Sequence, residues 1–168
     1  MPTLILALNY WLHLTATVLW LGGLAVLSLI VWPGLLQKSA DGRQAEIMDA
    51  IEQRFWPIAN VSLATLIITG TLQMSEDPHY RGFLRVDSPW TIGLLAKHIV
   101  IGGIIAASIA LQWSVRPALD RAALLARRGD AEARAEEAAL RRRSRQLIWL
   151  SLGLGLLVLM LTAYITAL

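Results

Sequence analysis

Four long apolar stretches, separated by polar and charged segments, organise this chain: Leu4–Trp32, Pro57–Met74, Thr91–Trp113 and Leu147–Leu168. A helix needs roughly 20 residues to cross a hydrocarbon core of about 30 Å. The second stretch is the shortest and can borrow a turn from Arg54–Trp56. The pattern predicts an all-α polytopic membrane protein, a four-transmembrane-helix up-down bundle filling one membrane domain over residues 1–168. Its helices are expected at about 4–32, 55–74, 91–113 and 147–168.

The connecting segments carry their own signals. Trp32-Pro33-Gly34 stops the first helix, and Asp41 with Gln44 forms a candidate capping box for a short helix over 43–55. Ile47, Met48, Ile51 and Phe55 share one face of it, which suits either the membrane interface or a packed connection. Residues 114–146, rich in Ala, Arg and Glu, predict a charged cytoplasmic helical hairpin between helices 3 and 4. Gly129-Asp130 splits that hairpin, with Asp130 as N-cap, and Glu137 and Arg141 form an i,i+4 pair. Its charges serve as a solvated face, an anionic-lipid contact or a docking surface.

Charge fixes the expected topology. Of the 15 basic residues, Lys38, Arg43 and Arg54 lie between helices 1 and 2, and nine lie from Arg116 to Arg145. The segment between helices 2 and 3 holds Arg81 and Arg85, offset by Glu76, Asp77 and Asp87. The positive-inside rule then places the first and third connections in the cytoplasm and both termini outside, in a multi-pass protein of the inner or plasma membrane. Trp32, Trp56, Trp113 and Trp149 fall near the inner helix ends and Trp90 near an outer one, the positions of interfacial anchors. Met1–Thr3 carries no basic residue and no cleavage pattern follows, so the first stretch reads as a retained helix. The absence of cysteine excludes disulfides, thiolate metal sites and cysteine nucleophiles. The basic charge is too localised to indicate a nucleic-acid partner.

Inside the spans, ionisable groups are costly and need a reason. There are three: His13 in helix 1, with Lys97 and His98 in helix 3. His13 lies about 13 Å along its helix and His98 about 10 Å along its own, at 1.5 Å per residue. Parallel helices place both at similar depth in the outer half of the membrane. Facing one another across a bundle, two neutral imidazoles can ligate a haem b iron, while small residues such as Gly102 and Gly22-Gly23 leave room for the macrocycle. Facing apart, they serve hydrogen bonding, proton handling or a metal ion. Lys97 either meets an anion such as a haem propionate or extends its ammonium to the surface. Asn9, His13, Thr17 and Trp20 form a polar-aromatic stripe on helix 1, while Ser62, Thr65, Thr69 and Gln73 form one on helix 2. The second stripe also suits ordinary helix–helix contact.

Copper is the alternative. Met74 and His79 supply thioether and imidazole donors suited to Cu(I), although His79 also reads as a plain loop residue. No GxSxG, HExxH, P-loop or dinucleotide fingerprint is present, so hydrolase and kinase chemistry find no support.

Several segments resemble one family. "WLHLTATVLWLGGLAVLSLIVWP" resembles the opening helix of CopD-type membrane domains, and "RFWPIANVSLATLIITGTLQ" their second. "PWTIGLLAKHIVIGG" and "VRPALDR" resemble the third helix and the Arg-Pro element after it. More distantly, His13, Trp20 and Lys97 are similar in placement to residues of HemJ-type protoporphyrinogen oxidases, whose Tyr-Leu-Pro-Arg segment is replaced here by residues ending Val31-Trp32-Pro33. The resemblance implies copper handling or haem-linked redox chemistry. The expectation is a b-type haem redox or electron-transfer protein with ligands His13 and His98, assisted by Lys97, Trp20 and Gly102, and with a quinol or redox protein as partner. As an enzyme it would be a membrane oxidoreductase. The alternatives are copper transport using His79, Met74 and His13, and an accessory role in a larger membrane complex or homo-oligomer.

Overall fold

The structure is a computed structural model that describes residues 2–33, 43–78, 80 and 87–168. Among these residues the chain forms four long helices: α1 (Thr3–Val31), α2 (Arg43–Glu76), α3 (Pro89–Arg127) and α4 (Ala131–Thr166). Each holds a window with mean hydropathy between 1.5 and 2.2, of which at most 28% is buried inside the protein. Leu4, Val18, Val61 and Ile99 are each at least 69% exposed. Apolar surface on that scale needs a hydrocarbon solvent, and helices satisfy their backbone groups internally within it. This is an all-α, polytopic membrane protein.

Helix boundaries follow local chemistry. Ser88 opens α3 with a capping box, its hydroxyl accepting from the Thr91 amide while Thr91 accepts from the Ser88 amide, and Pro89 sits where no amide donor is needed. The α3 helix runs past its apolar span to Arg127, and Pro117 lies within it. Pro117 cannot bond the Trp113 carbonyl, and the turn over Ala110–Val115 is a wide, π-type one. A similar wide turn, Leu27–Val31, precedes Pro33. Residues 43–55, expected as a separate short helix, are instead continuous with the second span in α2 and run through Pro57. The proposed capping residue Asp41 lies outside the described residues.

The contacts divide the chain into two compact units, Met1–Arg85 and Val86–Leu168. In the first, α1 and α2 pack antiparallel: Asn9 and His13 meet Thr69 at one end of the pair, and Gly23 meets Phe55 at the other. Leu24, Leu27, Trp32, Trp56 and Ala59 are buried in this unit. In the second, α3 and α4 are also antiparallel, with Gly93 against Ile165 and Gly103 against Leu154. Their charged extensions pack through Ala122, Ala126 and Ala133, whose small side chains let the helices approach closely.

The tryptophans divide in a way their positions do not predict. Trp113 (80% exposed) and Trp149 (46%) face outward as interfacial anchors would. Trp32, Trp56 and Trp90 are buried instead. A buried indole removes more apolar surface from contact with other phases than any other side chain, and packing has claimed these three.

Candidate functional site

One face of α1 and one of α2 meet in a polar seam inside the first unit. Asn9, only 7% exposed, donates its amide to the Thr69 carbonyl at 3.3 Å. One turn on, His13 Nδ1 lies 2.7 Å from the Thr69 hydroxyl. That hydroxyl donates its single proton to the Thr65 carbonyl at 2.6 Å, so towards His13 it accepts. His13 Nδ1 therefore carries a proton, which in the neutral ring puts the lone pair at Nε2. The Thr17 hydroxyl donates to the His13 carbonyl at 2.8 Å and completes the stripe along α1. Thr65 similarly back-bonds to the Val61 carbonyl.

Close approach at His13 depends on Gly70. A Cβ built there would stand 3.3 Å from His13 Cε1, so the imidazole edge lies nearly against the α2 backbone. Trp20 is buried on the same helix as His13, inside a wide turn over Val18–Gly22. The room expected beside Gly23 is taken by the Phe55 ring, while Gly22 borders open space.

His98 belongs to the second unit. Its Nδ1 donates to the Leu94 carbonyl at 2.8 Å, one turn back on its own helix, so that in the neutral ring the lone pair falls on Nε2. Lys97 is partly buried, about 100° around the helix from His98. At Gly102, one turn further, a Cβ would find no atom within 4 Å. Met74 is partly buried near the end of α2, and His79 lies outside the described residues. Among the described residues no three His, Asp or Glu side chains gather as a metal cluster.

Two features escape a reading of sequence alone. Gly70 is an ordinary helical glycine until its neighbour across the helix pair is known. Glu52, only 9% exposed, is buried in α2 although it stands in a charged connecting segment. Its apolar flanks, Ile51 and Phe55, were the available signal.

Four helices long and apolar enough to cross a membrane define a multi-pass membrane protein. A family model described as copper resistance protein D matches residues 49–165, well over half of the chain, and the chain belongs to that family. The matched segment contains Met74, Lys97 and His98, while α1 with His13 precedes it. No curated protein and no solved structure matches the chain.

Proposed function

We propose that this protein handles copper within the membrane and that His13 is its intramembrane ligand. The observation that carries this reading is the chain from His13 Nδ1 through the Thr69 hydroxyl to the Thr65 carbonyl. Histidines that bind metals almost always donate their other ring N–H to such an acceptor, which fixes the tautomer and raises the basicity of the ligating nitrogen. Cu(I) suits neutral imidazole and thioether donors in a site of low polarity. Family membership supports copper as the cargo. Met74, near the outer end of α2 under the charge-derived topology, adds a thioether donor on the same helix as Thr69. In that topology both termini face outward and the extension joining α3 to α4 is cytoplasmic.

A second reading, a b-type haem on the second unit, draws on the His98 tautomer and the open space at Gly102. Lys97 would then neutralise a propionate, and the haem would supply one-electron chemistry.

Elemental analysis of protein purified and loaded with Cu(I) under reducing conditions tests the first reading. Stoichiometric copper that falls sharply in His13→Ala is the expected result. Undiminished copper in that variant overturns the assignment of His13. A reduced-minus-oxidised visible spectrum tests the second, since a bound b-type haem gives sharp bands that His98→Ala would abolish.

A further inference from the structure

Just before the apolar part of α4, Arg142, Arg145, Gln146 and Trp149 border a shallow, wide-open surface groove of about 400 Å³. Their spacing of i, i+3, i+4 and i+7 puts them on one helix face. We propose that this groove binds the phosphate headgroup of an anionic phospholipid.

Three observations favour that occupant. First, Arg141 beside the groove has an acidic partner, its Nε 2.9 Å from Glu137, and Arg121 on the facing helix lies 3.9 Å from Glu136. Among the described residues no ion pair engages Arg142 or Arg145, so this face presents uncompensated positive charge. Second, arginine carries a planar fork of donors that matches a phosphate in two-point contact. Third, the groove sits at the depth a headgroup needs. The apolar run begins at Leu147, and Trp149 is 46% exposed beside it. Arg145 stands about 6 Å further out along the helix, matching the thickness of roughly 5–8 Å of one interfacial layer. The indole then lies against the glycerol and upper acyl region while the guanidinium groups reach the phosphate. An acidic segment of another protein would match the charge but would gain nothing from the exposed indole at hydrocarbon depth.

The test is native mass spectrometry of the full-length protein released from detergent and titrated with phosphatidylglycerol or with phosphatidylcholine. Wild-type protein is expected to retain phosphatidylglycerol preferentially. Each arginine near an anionic headgroup contributes a factor of about five, so Arg142→Gln/Arg145→Gln should bind about 30-fold more weakly. Arg128→Gln/Arg143→Gln removes the same charge outside the groove and should leave binding unchanged. The proposal is overturned if the two lipids bind alike, or if both double variants weaken binding equally, which would mean general charge attraction. Should the groove pair fail to fold, Arg145→Gln alone must weaken binding about five-fold, and no change there also overturns it.

Discussion

His13 donates from Nδ1 to the hydroxyl of Thr69 at 2.7 Å, and that hydroxyl donates in turn to the carbonyl of Thr65 at 2.6 Å. One side chain on α2 thus decides which nitrogen of an intramembrane histidine carries the lone pair. Thr69→Val keeps the shape and removes the acceptor. If His13 binds copper, Cu(I) affinity should fall about 10- to 100-fold, the usual effect of losing the partner of a ligating imidazole. Thr69→Ser restores the hydroxyl and should recover most of the loss. Competition against a chromogenic Cu(I) chelator measures both, and equal affinities for the valine and wild-type proteins would contradict the role given to Thr69.

Gly70 limits the same ring from the side. The Cβ of Gly70→Ala would lie 3.3 Å from His13 Cε1, so the imidazole must retreat by a few tenths of an ångström. Replacing a helical glycine by alanine favours the helix by about 1 kcal/mol, while a tight contact costs about as much. Thermal stability should therefore change little, whereas Cu(I) affinity drops several-fold because the ligand is displaced. Leu at this position cannot be accommodated by so small a movement and should reduce both. Parallel melting curves and chelator competition separate the two effects.

Much of the architecture was legible because the bilayer imposes a simple rule: apolar runs of spanning length become helices. Asp130 and the Glu137–Arg141 pair were legible too, since capping and i,i+4 contacts are decided within a few residues. The α1–α2 seam was half legible. The stripes containing His13 and Thr69 announce themselves by helical spacing, but which hydroxyl meets which imidazole depends on the rotation and register of two helices. Helical rotation also explains the buried Trp32, Trp56 and Trp90, whose positions near span ends fit lipid anchoring equally well. Residues 43–55 misled for a different reason. Their charges mark a connecting segment, but composition alone does not end a helix, and α2 runs on unbroken through Pro57.

Gly23 and Phe55 provide a test of the other end of the α1–α2 pair. The ring edge of Phe55 occupies the space that a Cβ on Gly23 would need. Gly23→Ala should destabilise the protein by about 1–3 kcal/mol, the usual range for overpacking a close contact. Shortening the neighbour in Gly23→Ala/Phe55→Leu should return part of that loss. A double-mutant cycle from thermal unfolding in detergent gives the coupling directly, and strictly additive effects would show that the two residues do not share this contact.

The turn joining α3 to α4 concentrates two local requirements in adjacent residues. Gly129 has φ of +95°, which side chains with a Cβ rarely adopt. Asp130 Oδ1 accepts from the amides of Glu132 at 2.9 Å and Ala133 at 3.2 Å, satisfying donors that the first turn of α4 leaves unpaired. Asp130→Ala should cost about 1 kcal/mol, and Asp130→Asn much less because its side-chain oxygen still caps. Gly129→Ala should cost about 1–2 kcal/mol through the strained backbone. Neither residue belongs to the polar seam, so copper loading should remain at the wild-type level while the charged extension opens more often. Limited proteolysis between Arg127 and Arg134 reads that opening directly. Faster cleavage in Gly129→Ala and Asp130→Ala than in Asp130→Asn is the expected order, and equal rates in all three would show that the cap does not hold this turn.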